Sequence, residues 1–128
     1  IAEMVLFCGN VNRPEDYLQA MDVFVMTSLF EGLPIVGVEA QASGLPCIFA
    51  DTITQEVKIL PQTQFLALTQ PDEAWAERIV QTKPMERSLA GHCVESAGFA
   101  EENLDRQVCA LYGMEEHHFA NISGRDHL

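Results

Sequence analysis

Residues 28–51 read S-L-F-E-G-L-P-I-V-G-V-E-A-Q-A-S-G-L-P-C-I-F-A-D and carry the clearest structural signals of the sequence. Pro34 suits the first position of a helix, because its φ is preset and it has no N–H to leave unpaired. Residues 35–42 are mostly apolar or small, and Gly44 is suited to a left-handed cap at the helix end. Residues 47–50 form a short apolar run of the kind that a parallel sheet buries on both faces. The stretch therefore predicts a loop, a helix and a buried strand.

Two carboxylates stand out in this stretch because their neighbours are apolar or small. Glu31 lies in the predicted loop, and Glu39 follows eight positions later, one turn beyond Ile35 on the same helix face. The free amides of residues 32–36 would form an anion site suited to phosphate. Carboxylates on either side could accept hydrogen bonds from sugar hydroxyls. The pattern indicates a nucleotide diphosphate sugar; the alternative is that Glu31 caps the helix and Glu39 extends into solvent.

Outward from this stretch, short apolar runs alternate with helix-length segments. Residues 4–7 and 23–26 resemble residues 47–50 in being short and apolar, and we expect the three to be adjacent strands. Residues 14–21 read as a helix, with Tyr17, Leu18 and Met21 on its apolar face. The order strand, helix, strand, helix, strand predicts an α/β fold with a parallel sheet and right-handed crossovers.

The pattern weakens after residue 51. Residues 55–59 fit a short strand or a loop, and residues 65–68 a final strand. Helices are predicted over residues 70–82, 84–97 and 100–112. The first should turn Ala74, Trp75, Ile79 and Val80 inward, and the third should turn Leu104, Val108 and Leu111 inward.

Composition and charge exclude several classes of protein. The 128 residues suit one modest domain, and 7 basic against 19 acidic residues argue against nucleic acid as a partner. No apolar run approaches the length of a membrane span and there is no signal peptide, so we expect a cytoplasmic protein, with the inner face of the membrane as a further option. The four cysteines match no metal spacing, and Cys8 and Cys47 are expected as reduced thiols in buried strands. We expect no cofactor and no metal.

The motif also carries a family resemblance. Residues 31–39, E-G-L-P-I-V-G-V-E, followed by A-Q-A-S-G-L-P and preceded by D-Y-L-Q-A-M-D-V-F-V-M-T-S, resemble the E-x7-E signature of family 4 glycosyltransferases. These are retaining enzymes of the GT-B architecture, with two Rossmann-like domains. The resemblance covers roughly residues 4–68. It implies a Rossmann-like parallel sheet with flanking helices, with residues 1–113 as part of the C-terminal donor-binding domain. Chain ends are often poorly ordered, so we expect residues 114–128 to be a disordered tail.

The resemblance also implies roles for individual residues. Glu31 would contact the donor sugar and is the candidate catalytic residue, as a group that positions the sugar and not as a nucleophile. Glu39 would bind the ribose hydroxyls, and Val11 would lie under the base, with packing at a strand end as its alternative role. The backbone between the carboxylates would face the sugar and the diphosphate, from Gly32, Leu33, Pro34, Ile35 and Val36.

The implied activity is transfer of a sugar from a nucleotide diphosphate sugar to an acceptor hydroxyl with retention of configuration, without a metal. Neither the family's basic pair that clamps the diphosphate nor its acceptor domain is found in this sequence. We therefore expect a donor-binding fragment that is inactive alone, whose partners are the missing N-terminal acceptor domain and, through an uncovered sheet edge, a second copy. Residues 97–113 resemble capsular enzymes, which suggests polysaccharide biosynthesis. Two alternatives remain: a non-catalytic interaction module, and a nucleotide-sugar epimerase or phosphorylase-like protein on the same fold.

Overall fold

A small parallel sheet lies at the centre of the fold. The computed structural model describes residues 2–100, in which β1 (Phe24–Met26), β2 (Cys47–Ala50) and β3 (Gln64–Leu66) are hydrogen-bonded in the order β1-β2-β3. Both pairs are parallel, with Phe24 opposite Cys47 and Ile48 opposite Gln64. The predicted α/β class, a Rossmann-like parallel sheet with flanking helices, is confirmed.

Within residues 2–100, four α-helices and three shorter helical segments connect and flank the strands. The α-helices are α1 (Pro14–Ala20), α2 (Ile35–Ala42), α3 (Asp72–Gln81) and α4 (Arg87–Val94). Turns of 3₁₀ helix occur at Ala2–Met4 and Gln55–Val57, and a π-helical turn follows α4 at Glu95–Phe99.

Helix α2 begins and ends close to the residues that the sequence indicated. Pro34 precedes the first helical residue by one position, with φ −75°, and its carbonyl accepts a hydrogen bond from the amide of Gly37 at 2.9 Å. At the other end Gly44 has φ +77°, and the amides of Gly44 and Leu45 donate to the carbonyls of Gln41 and Ala40. This pair of bonds is the Schellman arrangement, which satisfies the last carbonyls of the helix.

The core forms around β2, whose four residues are all buried. The Phe49 ring lies between two other rings, with centroids 6.1 Å from Phe24 and 5.8 Å from Phe65. Helix α2 approaches this ring at Gly37, where a Cβ atom would stand 2.8 Å from the Phe49 ring. The glycine therefore permits a close contact between helix and sheet that a larger residue would prevent.

The prediction of a strand at residues 4–7 is wrong. Ala2–Met4 form a 3₁₀ turn in which the amide of Val5 donates to the carbonyl of Ala2, and the Phe7 side chain is 92% exposed. Cys8, expected in that buried strand, is exposed, whereas Cys47 is buried as predicted. A short apolar run becomes a strand only where its backbone groups find a partner strand. Among residues 2–100, β1 pairs with β2 alone.

Some helix faces also differ from the prediction. Leu18 is buried on α1, but Tyr17 and Met21 are exposed, and Met21 caps the helix instead of belonging to it. On α3, Val80 is 84% exposed, so its predicted inward orientation is wrong. It follows Ile79 by one position, and residues that are one position apart on a helix face different directions.

The remaining boundaries shift by a few residues. The predicted helix over residues 84–97 is α4, which starts at Arg87 and continues into the π-helical turn, where Gly98 has φ +97°. Residues 55–59 contain a 3₁₀ turn and no strand, and the last strand is Gln64–Leu66 instead of 65–68. The predicted helix over residues 100–112 and the tail 114–128 lie outside the described residues, except for Ala100.

Candidate functional site

A groove runs between helices α2 and α4 and contains one of the two predicted carboxylates. Its volume is about 580 Å³, within the range of roughly 300–1,000 Å³ that small-molecule sites occupy. We call it the α2–α4 groove. It is lined by Leu33, Ile35, Val38, Glu39, Ala42, Val94, Ala97, Gly98, Phe99 and Ala100.

Three of the predicted site residues lie together in the α2–α4 groove. Leu33 leads into α2, Ile35 is its first residue, and Glu39 lies one turn further along the same face. Glu39 is exposed and is the one charged residue of an otherwise apolar or small lining. A carboxylate beside an apolar wall offers acceptors for hydroxyl groups and a surface for a flat ring.

The other predicted residues do not line the groove. Glu31 is half-buried in the loop after β1, and Gly32 beside it is exposed. Pro34 is buried and Val36 is half-buried, so both belong to the packing of the helix start. Val11 is half-buried in the loop before α1.

The loop that carries Glu31 is tied to the neighbouring strand end. The Thr52 hydroxyl, just after β2, donates to the carbonyl of Ser28, just after β1, at 2.8 Å. The carboxyl ends of neighbouring parallel strands meet at one edge of the sheet, where open α/β sheets bind their ligands. The bond therefore fixes the start of the Glu31 loop at this edge.

The start of α2 has unpaired amides available for a ligand. The N-terminal amides of a helix have no partner within the helix, which applies here to Ile35 and Val36. Pro34, the residue before the helix, has no side-chain acceptor and makes no capping hydrogen bond to these amides. These amides and the helix dipole can act on an anion that approaches from the groove.

Similarity to known proteins decides the family of this chain. The family described as Glycosyl transferases group 1 matches residues 1–82, which is more than half of the chain. The chain belongs to the group 1 glycosyltransferases.

Individual relatives agree with membership of this family. The chain is 51% identical over 78 residues to a Bacillus subtilis (strain 168) protein assigned as glycosyltransferase EpsF. The match covers 60% of this chain and 20% of EpsF. It is 43% identical over 51 residues to the UDP-Gal:alpha-D-GlcNAc-diphosphoundecaprenol alpha-1,3-galactosyltransferase of Escherichia coli, covering 40% and 13% of the two chains. It is 34% identical over 112 residues to the Vi polysaccharide biosynthesis protein VipC/TviE of Salmonella typhi, covering 81% and 19%.

The matches span only part of each relative. This group 1 glycosyltransferase chain covers at most 20% of the length of the three curated relatives. No solved structure matches it significantly.

Other chemistries find less support in the described part of the chain. Cys47 is buried, and burial raises the pKa of its thiol to about 12, so the nucleophilic thiolate does not form near neutral pH. Residues 2–100 contain no cluster of three or more His, Cys, Asp or Glu side chains that could hold a metal ion. Over the same range no helix is both long and apolar enough to cross a membrane.

Sequence reasoning missed the second wall of the groove. Val94 and the turn that follows it provide half of the lining, and Gly98 at φ +97° gives that turn its shape. The sequence placed Val94 and Ala97 in a predicted helix, but the position of this wall beside α2 depends on tertiary packing. A glycine at the end of an apolar helical pattern was the available signal for a change in chain direction.

Proposed function

We propose that the chain is the donor-binding portion of a retaining, family 4 member of the group 1 glycosyltransferases. It would hold a nucleotide diphosphate sugar while the sugar passes to an acceptor hydroxyl. The observation that carries the proposal is the placement of Glu39 and the start of α2 in one groove of about 580 Å³. We infer the reaction from the family membership and propose the groove as the binding site.

The donor would be bound along the face of α2. Glu39 accepts hydrogen bonds from the ribose hydroxyls, and the amides of Ile35 and Val36 face the diphosphate. Glu31, at the neighbouring strand edge, holds the hydroxyls of the sugar. Val11 lies under the base. The two carboxylates thus grip the two polyhydroxylated parts of the donor, on either side of the phosphates.

The chemical step is attack of the acceptor hydroxyl on the anomeric carbon, on the face that the diphosphate leaves. The bond from the anomeric carbon to the diphosphate oxygen breaks, the new glycosidic bond forms, and the proton of the acceptor hydroxyl passes to the leaving group. Amides at the start of α2 stabilise the charge that develops on the diphosphate, which is the type of contribution that lowers such barriers most. Glu31 orients the sugar and forms no covalent bond with it.

The proposed setting is the assembly of a polysaccharide. One relative is named for transfer of galactose to a diphosphoundecaprenol-linked sugar, and another for biosynthesis of Vi polysaccharide. The second name gives a polysaccharide as the product. We infer the same class of pathway for this chain, with the work done on the cytoplasmic side of the membrane and the acceptor held by a separate N-terminal domain.

Calorimetry on two carboxylate variants tests the proposal. The probe is uridine diphosphate, the nucleotide in the name of the galactosyltransferase relative. Glu39→Ala should weaken binding of both uridine diphosphate and the matching sugar nucleotide by about ten- to a hundredfold, because a charged hydrogen-bond partner is worth roughly 1.5–3 kcal/mol. Glu31→Ala should weaken binding of the sugar nucleotide only and leave binding of uridine diphosphate unchanged. Glu73→Ala removes an exposed carboxylate from α3 and is the control, with binding unchanged.

Two results would contradict the proposal. If Glu39→Ala binds uridine diphosphate as tightly as the unmodified chain does, Glu39 does not contact the nucleotide. If Glu31→Ala lowers the affinity for bare uridine diphosphate as much as Glu39→Ala does, the roles of the two carboxylates are not separated. In that case the Glu31 loop supports the start of α2 and does not bind the sugar.

A further inference from the structure

Gln41 is a fully buried polar residue on the side of α2 away from the groove. Its side-chain amide makes five hydrogen bonds. Nε2 donates to the carbonyl of Gly37 at 3.0 Å and to that of Val57 at 2.7 Å. Oε1 accepts from the amides of Ile59 and Leu60, at 3.0 and 2.9 Å, and from the Thr63 hydroxyl at 2.8 Å.

Four of these five partners belong to residues 57–63, the connection that leads into β3. Val57, Leu60 and Thr63 are buried there, so water cannot replace the side chain of Gln41 as their partner. A buried backbone group that loses its partner is strongly unfavourable. Gln41 therefore joins α2 to this connection through four hydrogen bonds, three of them to buried residues.

These bonds fix how α2 is rotated about its axis. Gly37 and Gln41 are one turn apart on the buried side of the helix, the first against the Phe49 ring and the second against residues 57–63. Glu39 lies between them in sequence and on the exposed side. Side chains of a helix lie about 5–6 Å from its axis, so a rotation of about 20° would move the Glu39 carboxylate by about 2 Å. Such a shift is enough to break a hydrogen bond to a ligand.

We propose that Gln41 is a positioning residue that holds the Glu39 carboxylate in place beside the α2–α4 groove. The proposal rests on the proposed function, because Glu39 is the group that it positions. It goes further by assigning a role in ligand affinity to a residue that the ligand does not touch. Binding sites depend on such supporting residues to hold the contacting groups within a fraction of an ångström.

The test compares two variants in the complete chain. Gln41→Met keeps the length of the side chain and removes all five hydrogen bonds, whereas Ile53→Val trims a buried side chain that makes none of them. Both are measured at a temperature at which circular dichroism shows each to be folded. Gln41→Met should lower the affinity for uridine diphosphate about tenfold, the loss of roughly one charged hydrogen bond, and Ile53→Val should leave it within about twofold.

A second measurement needs no ligand. The methyl resonances of Ile35, Val38 and Val94, all in the groove, should shift in Gln41→Met and stay in place in Ile53→Val. If Gln41→Met fails to fold, Thr63→Val removes a single bond to Oε1 and should give smaller changes of the same kind.

The outcomes separate the two proposals. Wild-type affinity in a folded Gln41→Met chain would overturn the positioning role while leaving the proposed function in place. If the unmodified chain and Glu39→Ala bind uridine diphosphate equally, the proposed function fails. The methyl spectra then decide the positioning role: shifts that occur in Gln41→Met and not in Ile53→Val support it, and unchanged groove resonances overturn it.

Discussion

Gly37 shows how one residue sets the distance between α2 and the sheet. A Cβ atom at this position would lie 2.8–2.9 Å from two atoms of the Phe49 ring and 3.2 Å from a methyl of Val57. Both neighbours are buried and have no free space to move into. The absence of a side chain at Gly37 is therefore part of what places Glu39 at the groove.

We expect Gly37→Ala to destabilise the chain by about 1–3 kcal/mol, the usual cost of overpacking a core. Gly91→Ala is the matched control, because Gly91 lies within α4 and nothing is within 4 Å of its added Cβ. This control should stabilise the chain by roughly 0.5–1 kcal/mol through the better helix propensity of alanine. Urea denaturation measures both, and equal midpoints for the two variants would contradict the account.

Local sequence signals accounted for the first wall of the site. Pro34 and Gly44 mark the two ends of α2, and the spacing of Ile35 and Glu39 places both on one helical face. These features depend on residues that are close in sequence, so they can be predicted without knowledge of the tertiary structure. The bonds of Gln41 could not be predicted in this way, because four of their partners lie 16–22 positions further along the chain.

At the scale of elements, two similar apolar runs have different outcomes. Residues 47–50 lie between two partner strands and are fully buried, whereas residues 4–7 have no strand partner in the described part of the chain. Hydrophobicity alone cannot distinguish the two cases, since a strand needs hydrogen-bonding neighbours as well as apolar side chains. The second wall of the groove escaped prediction for a related reason: the packing of α4 beside α2 is a tertiary contact.

The exposed segment gives a prediction at this scale. Phe7→Ser should change the free energy of unfolding of this chain by less than about 0.5 kcal/mol, as is usual for surface positions. Phe49→Ala, in the core, should cost about 3–5 kcal/mol. Thermal unfolding of both variants provides the comparison. A loss above about 2 kcal/mol for Phe7→Ser would mean that residues 4–7 are packed, as the sequence had predicted.

At the scale of the whole molecule, the stretch that the chain shares with its relatives is short compared with their full length. The family match covers residues 1–82, and the relatives are at least about five times as long as the stretch they share with this chain. Transfer between two substrates depends on holding both in one geometry, which contributes up to roughly 7–11 kcal/mol to lowering the barrier. The proposed function therefore assigns donor binding to this chain and assigns acceptor binding elsewhere.

The expected consequence is that the isolated chain does not transfer sugar. A radiolabelled sugar nucleotide incubated with the chain and a lipid-linked sugar acceptor should give no product above that of the Glu31→Ala variant. Turnover that depends on Glu31 would show that the chain carries an acceptor site of its own. The division of roles between two domains would then be wrong.

The most direct test of the central claim is a crystal structure of the chain with a uridine diphosphate sugar. We expect the Glu39 carboxylate about 2.5–3 Å from a ribose hydroxyl, the usual distance for such a bond, with the diphosphate at the amides of Ile35 and Val36. Glu31 should contact the sugar. A nucleotide bound away from the α2–α4 groove, with Glu39 free in solvent, would contradict the account.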